Sequence, residues 1–207
     1  MAGELIFNAD RHEYSRDGKI IPGVNQIISP FLRDFSGIPP ETMRLKQDWG
    51  TKVHRYRAAY DRGEVDIEKV DPLMASYLNC WAALLKHFGL QDEEQISETP
   101  LAAGFDLFAG TPDVVFTAAN TVVELKTAPI SESTAAQLAA YTLLAYQNGH
   151  ISVNPYAKNT VRLIECSITD DGVTAKLKHH SWDFGSGIND FMSCLTIFNY
   201  RRKNGIK

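Results

Sequence analysis

Two short apolar runs stand close together near the middle of the chain. Val114-Val115-Phe116 is followed, after the gap Ala118-Ala119-Asn120, by Thr121-Val122-Val123-Glu124-Leu125-Lys126. Runs this apolar predict strands covered on both faces, and so short a gap predicts an antiparallel hairpin. Asp113 opens the first run, and Glu124 and Lys126 stand two apart in the second. Residues i and i+2 of a strand share a face. An even loop, for instance Ala119-Asn120 as a tight turn, places Asp113 opposite Lys126 and brings all three charges to one face. An odd loop places Asp113 on the other face unless a bulge re-aims it.

Around this hairpin the period changes to that of helices. Trp49, Val53, Tyr56 and Tyr60 predict a helix over 41–61, with Pro39-Pro40 before it and Glu41 in its first turn, where negative charge suits the dipole. His54 falls at the edge of that apolar face. Gly50 inside the helix costs about 1 kcal/mol against alanine and points to close approach of another backbone or of substrate. After a charged connector from Asp61 to Asp71, Leu73, Tyr77, Trp81, Leu84, Leu85 and Phe88 predict a core helix over 72–88, capped by Gly89. Residues 95–105 read as a strand carrying Glu98, which turns at Gly104-Phe105-Asp106; Asp106 is a turn residue.

Beyond the hairpin, Pro129 ends the strand, and Ser131 or Ser133 caps a helix reaching about Gln147 and closed by Gly149. Gln137 and Tyr141, four apart, share one face of it. A second hairpin over 159–168 and 173–181 turns at Asp170-Asp171-Gly172, and a last helix covers 186–200. Upstream, residues 4–29 predict a hairpin around Asp17-Gly18, then a short helix or turn from Pro22. His12, His179 and His180 read as exposed. Strands interleaved with helices make the class mixed α/β.

The 207 residues suffice for one good-sized core, so one domain is expected. At 44% hydrophobic and 22% charged, the composition is that of an ordinary soluble protein. No segment approaches the roughly 18 apolar residues of a membrane span, and the first residues lack a basic, then apolar, leader. Cys80, Cys166 and Cys194 make no metal spacing and read as buried thiols in a reducing compartment, so a cytoplasmic location is expected. The net charge of −4 speaks mildly against a protein that coats nucleic acid. Basic residues do cluster, at Arg44, Lys46, Lys52, Arg55 and Arg57 and at Arg201, Arg202, Lys203 and Lys207, either as a track for DNA or as solvated faces.

Two carboxylates and a lysine on the polar face of a surface hairpin need no chemistry, because such a pair contributes little. These flanks are too apolar for a surface hairpin. In a covered strand, charges are costly unless paired or bound to a metal. Asp and Glu oxygens suit Mg²⁺ or Mn²⁺, and a metal so held beside a lysine activates water and neutralises a phosphate.

Asp113, eleven residues, then Glu124-Leu125-Lys126 resembles the signature of the PD-(D/E)XK nuclease superfamily. Gly110-Thr111-Pro112-Asp113 and Val123-Glu124-Leu125-Lys126-Thr127 are similar to its RecB-like exonuclease branch. Gln137 to Tyr141 matches its Q-x-x-x-Y element, and Gly50 to His54 its G-x-x-x-H element. The resemblance covers about Trp49 to Gly149, and the N-terminal spelling is loosely similar to phage-encoded members. It implies a restriction-endonuclease-like core: a central mixed β-sheet flanked by helices, with an N-terminal β-hairpin and a helical extension. On that reading residues 1–40 form the extension, 41–90 the helical segment and 95–207 the nuclease core.

The resemblance also implies roles. Asp113, Glu124 and Lys126 would be catalytic. Asp113, Glu124, the Leu125 carbonyl and His54 would bind Mg²⁺ or Mn²⁺. Gln137 and Tyr141 would orient substrate and lysine, while Glu98 and Thr127 would support the site. The four-cysteine iron–sulfur cluster of some relatives is not expected from three scattered cysteines. The activity implied is metal-dependent exonuclease action on linear DNA ends or single strands, in phage or bacterial recombination or repair, beside a single-strand annealing or recombination protein. A structure-selective endonuclease and a catalytically silent DNA-binding module remain the alternatives.

Overall fold

The computed structural model describes residues 3–9, 11–29, 37–127, 131, 133–157, 160–168, 175–179 and 184–206. Pro129, the turn at Asp170-Asp171-Gly172, His180, Lys207 and the surroundings of the His179 side chain lie outside this description.

The N-terminal segment is a three-stranded meander, β1 (Ile6–Asn8), β2 (Glu13–Arg16) and β3 (Lys19–Ile21), one strand more than the expected hairpin. The β2–β3 turn falls at Asp17-Gly18 as the turn chemistry predicts, with both residues at positive φ. A single helical turn follows, α1 (Val24–Ile27). Next come the long helix α2 (Pro40–Asp61) and α3 (Pro72–Phe88). Helix α3 starts at a proline behind Asp71, whose carboxylate accepts the Met74 N–H, and stops at Gly89 in the left-handed conformation.

The main sheet has the order β10-β9-β8-β7-β4. It comprises β4 (Gln95–Ser97), β7 (Val114–Phe116), β8 (Thr121–Lys126), β9 (Arg162–Ile168) and β10 (Ala175–His179). β8 pairs antiparallel with β7 and parallel with β9, and the crossover between β8 and β9 carries α4 (Ser133–Gln147). The fold is therefore mixed α/β. The strand expected over 95–105 is broken: Glu98 adopts φ of 49°, and its continuation, β5 (Leu101–Ala102), pairs instead with β6 (Ala109–Gly110). A non-glycine residue held there is strained by roughly 1–3 kcal/mol, so the surrounding contacts must fix it. The Glu98 N–H still donates to the Asp113 carbonyl at 3.1 Å, and the break turns the Glu98 side chain toward α2.

Alternation along β7 and β8 splits the core into two layers. Val115 and Val122 pack with α1, α4 and the last helix, α5 (Phe184–Asn204). Val114, Phe116, Val123 and Leu125 pack with α2 and α3. β8 lies third of five and all but its last residue are buried, which accounts for its lack of a polar face. Cys166 and Cys194 are buried free thiols, but Cys80 is only half-buried, against expectation. No helix of the described residues is long and apolar enough to cross a membrane.

Candidate active site

The β7–β8 register pairs Val114 with Val123 and Phe116 with Thr121. The loop between them, 117–120, holds an even number of residues. Asp113 therefore shares a face with Glu124 and Lys126, as the parity argument requires. Its place in the register is opposite Glu124, not opposite Lys126, because the loop is four residues long instead of two. The Asp113 Oδ2 atom accepts the Leu125 N–H at 2.7 Å, which fixes the carboxylate against the partner strand.

Helix α2 brings His54 to the same place. Its Nδ1 lies 3.0 Å from Asp113 Oδ1 and 3.6 Å from Glu98 Oε1. His54, Glu98 and Asp113 can direct one ligand atom each into a region where all lie within 4.8 Å of one another. Burial disfavours the charge on His54, but Asp113 and Glu98 outweigh it and raise its pKa from 6.5 to about 10. Burial likewise works against the Asp113 charge, and His54, Arg57 and Lys126 overcome it to hold this carboxyl below its ordinary value.

Glu124 is treated differently. Its Oε1 accepts from Lys126 Nζ at 2.6 Å and from Gln137 Nε2 at 2.9 Å. Its Oε2 is buried and has no hydrogen-bond partner among the described residues. Burial, then the neighbouring Asp113 charge, raises the Glu124 pKa from 4.5 to about 7, with Lys126 opposing. Lys126 loses charge stability to burial and regains more from Glu124 and Asp113, so it is held above its ordinary value. Gln137 Oε1 accepts from Lys126 Nζ at 3.0 Å, and Gln137 Nε2 lies within bonding distance of the Tyr141 hydroxyl and Asn25 Oδ1. Gln137 and Tyr141 thus reach the carboxylate–lysine pair from one face of α4.

Of the remaining expected site residues, Leu125 touches Asp113 through its N–H. Thr127 lies at the end of β8, and a Cβ added at Gly50 would stand 3.3 Å from its Oγ1. The close approach inferred at Gly50 is therefore to one side-chain atom. Glu98 stands with His54 and Asp113.

Arg57, expected on a track for DNA or on a solvated face, is buried instead. It is 1% exposed. Its Nη1 donates to Asp61 Oδ2 (3.1 Å) and Ser97 Oγ (2.8 Å), and its Nη2 to Glu98 Oε1 (2.5 Å) and the Asp113 carbonyl (3.0 Å). One guanidinium thus ties α2 to β4, to the strained Glu98 and to the Asp113 backbone, as its rigid fork of donors allows. Asp61 in turn accepts the Trp81 indole N–H at 2.7 Å. Spacing held a signal for this: Val53, Arg57 and Asp61 recur every four residues on the buried face. Asn25 and Tyr14, whose hydroxyl meets Thr111 Oγ1 at 2.8 Å, are also close to the site. Nothing local in the chain marks them.

No protein-family model and no curated protein matches the chain.

Proposed function

We propose that this chain is a metal-dependent nuclease of the PD-(D/E)XK kind, hydrolysing DNA phosphodiesters as an exonuclease. The observation that carries the reading is the buried Glu124 Oε2, which has no hydrogen-bond partner among the described residues, on the same face as Asp113 and Lys126. A buried carboxylate oxygen without a donor is costly, and a cation bound there removes the cost. The all-oxygen and histidine donor set fits Mg²⁺ or Mn²⁺. The sheet order, with a parallel pair joined through α4, is the arrangement expected of a restriction-endonuclease-like core and supports the same reading.

Asp113 and Glu124, with the Leu125 carbonyl, would hold the ion, and His54 and Glu98 stand where they could complete its shell. When bound, Mg²⁺ supplies Lewis acidity toward the phosphate and lowers the pKa of a coordinated water. The protein supplies position and charge. Lys126, anchored on Glu124 and Gln137, presents a cation to the phosphate and orients the attacking water. Gln137 holds Lys126 and Glu124 in register, and Tyr141 restrains Gln137. Arg57 fixes the Asp113 backbone and Glu98. A single-strand annealing or recombination protein is the partner this activity would serve in phage or bacterial recombination and repair.

The test is cleavage of end-labelled linear and closed circular DNA, single- and double-stranded, with Mg²⁺ or Mn²⁺, by the wild type and by Lys126→Ala. Loss of linear DNA alone, abolished by the substitution, is expected. Nicking of circles would move the activity to an endonuclease, and binding without cleavage under either metal would leave a DNA-binding module.

A further inference from the structure

The strand beside β8 carries another buried acid. In the parallel pair of β8 and β9, Glu165 is the register partner of Glu124. Its neighbours Ile164 and Cys166 pack with α2 and α3, whereas Leu163 packs with α4. Alternation therefore turns Glu165 toward α4, onto the face that carries Glu124 and Lys126. Glu165 is 0% exposed, and the proposed chemistry gives it no task.

A fully buried acid is costly unless it is hydrogen-bonded. Glu165 Oε1 accepts the Ser131 N–H at 3.1 Å and the Thr134 hydroxyl at 3.0 Å. The Thr134 N–H donates to the Ser131 carbonyl at 3.1 Å. One carboxyl oxygen thus clamps both ends of the turn that leads into α4. Thr134 stands three residues before Gln137, close to one helical turn. Fixing that turn against β9 sets the height and rotation of α4, and these decide where the Gln137 amide falls. The amide has little latitude. Its Oε1 accepts from Lys126 Nζ at 3.0 Å, and its Nε2 meets Glu124 Oε1, Asn25 Oδ1 and the Tyr141 hydroxyl at 2.9, 3.0 and 3.2 Å. The Glu165 charge also favours the ammonium of Lys126. An acid needed only for the helix dipole acts as well from the surface. Burial in register with Glu124 instead ties the start of α4 to the sheet that carries the site.

We propose that Glu165 is a positioning residue of the active site: through Ser131 and Thr134 it sets α4 so that Gln137 meets both Glu124 and Lys126. The proposal rests on the nuclease reading, which gives Gln137 its role.

Two experiments on the full chain test it, and the first needs no cleavage. NMR follows the Gln137 side-chain amide signals, assigned by their loss in Gln137→Ala, and their hydrogen exchange. Glu165→Gln keeps an acceptor oxygen for Ser131 and Thr134 and should leave the signals in place. Thr134→Val and Glu165→Leu remove the clamp in part and in whole. Both should shift the signals and speed their exchange about five-fold or more, the scale of one lost hydrogen bond. Thermal melts check that each variant is folded, and Thr134→Val, close in shape, decides alone where Glu165→Leu does not fold. Unchanged signals in a folded variant without the clamp overturn the proposal. The second experiment is a double-mutant cycle in single-turnover cleavage of single-stranded DNA with Mg²⁺. Thr134→Val should lower the rate constant about ten-fold, as loss of an outer-shell partner does, with substrate affinity unchanged. In the Gln137→Ala background it should have no further effect, and the same fall in both backgrounds overturns the proposal. Altered Gln137 signals without cleavage by the wild type would sink the nuclease reading and support the clamp. Cleavage with unaltered signals would do the reverse.

Discussion

Asp113 and Glu124 face each other across one hairpin, and their surroundings differ. Asp113 meets the Leu125 N–H on one oxygen and His54 on the other, and its carbonyl is held by Arg57. It stays ionised. Glu124 gathers both its donors, Lys126 and Gln137, on a single oxygen and leaves the second bare. Burial and the Asp113 charge push its pKa up to about 7. Two buried carboxylates close together cannot both ionise cheaply, and the protein places its cationic side chains mostly around one. The under-compensated acid is where a divalent cation gains most. The contrast separates residues that build the site from residues that await a ligand.

The largest expected effect comes from breaking the better-satisfied side. Asp113→Asn removes the charge that faces His54 and Lys126 and that a bound metal would use, and on the proposed nuclease function cleavage should fall on the order of 10²–10³-fold or more in single-turnover assays. Arg57→Met comes next, because it strands Asp61 and Glu98 in or near the interior. Urea denaturation should show a loss of about 3–5 kcal/mol.

Protonation sharpens the comparison, because both sides lose stability as pH rises but in different windows. Glu124 has a folded pKa above its unfolded value, so metal-free protein binds the extra proton and loses this stability as pH rises from about 4.5 to about 7. Mg²⁺ should therefore raise Tm more at pH 8 than at pH 5.5, and Glu124→Gln should flatten that dependence. His54 also has a raised pKa, but its charged form is the paired one. Its contribution is complete below about pH 6.5 and fades as pH approaches about 10. The stability cost of His54→Ala should accordingly be larger at pH 6 than at pH 10.

The smallest effect is expected at Gly50. Alanine there gains up to about 1 kcal/mol of helix propensity and needs the Thr127 hydroxyl to yield slightly. Thermal melts should show a small rise in Tm.

These predictions also mark what the chain discloses by itself. The motif hairpin was legible from its two apolar runs, and Glu124 and Lys126 on one face from their separation of two, whereas Asp113 joined that face only on one of two loop parities left open, the even one found here. Its exact partner was not legible, because a four-residue loop and a two-residue loop share that parity. Helices α2 and α3 were legible from apolar spacing and α4 from its serine and glycine caps; the roles of Gln137 and Tyr141 came from the family resemblance, and their separation of four gave only a shared face. Glu98 was misplaced in a continuous strand because a left-handed turn at a glutamate follows from its contacts with Arg57 and His54, not from local propensity. Arg57 was misread since arginine is seldom buried without partners, and those partners come from three separate elements. Asn25 meets Gln137 across 112 residues of chain, a contact no local pattern carries.

The central claim is that Asp113 and Glu124 together hold a divalent cation. Calorimetric titration of Mn²⁺ into the wild type, Asp113→Asn and Glu124→Gln at pH 8 tests it most directly. Binding is expected in the wild type and should be lost or weakened at least ten-fold in both Asp113→Asn and Glu124→Gln. Equal binding by all three proteins, or none by the wild type, would contradict it.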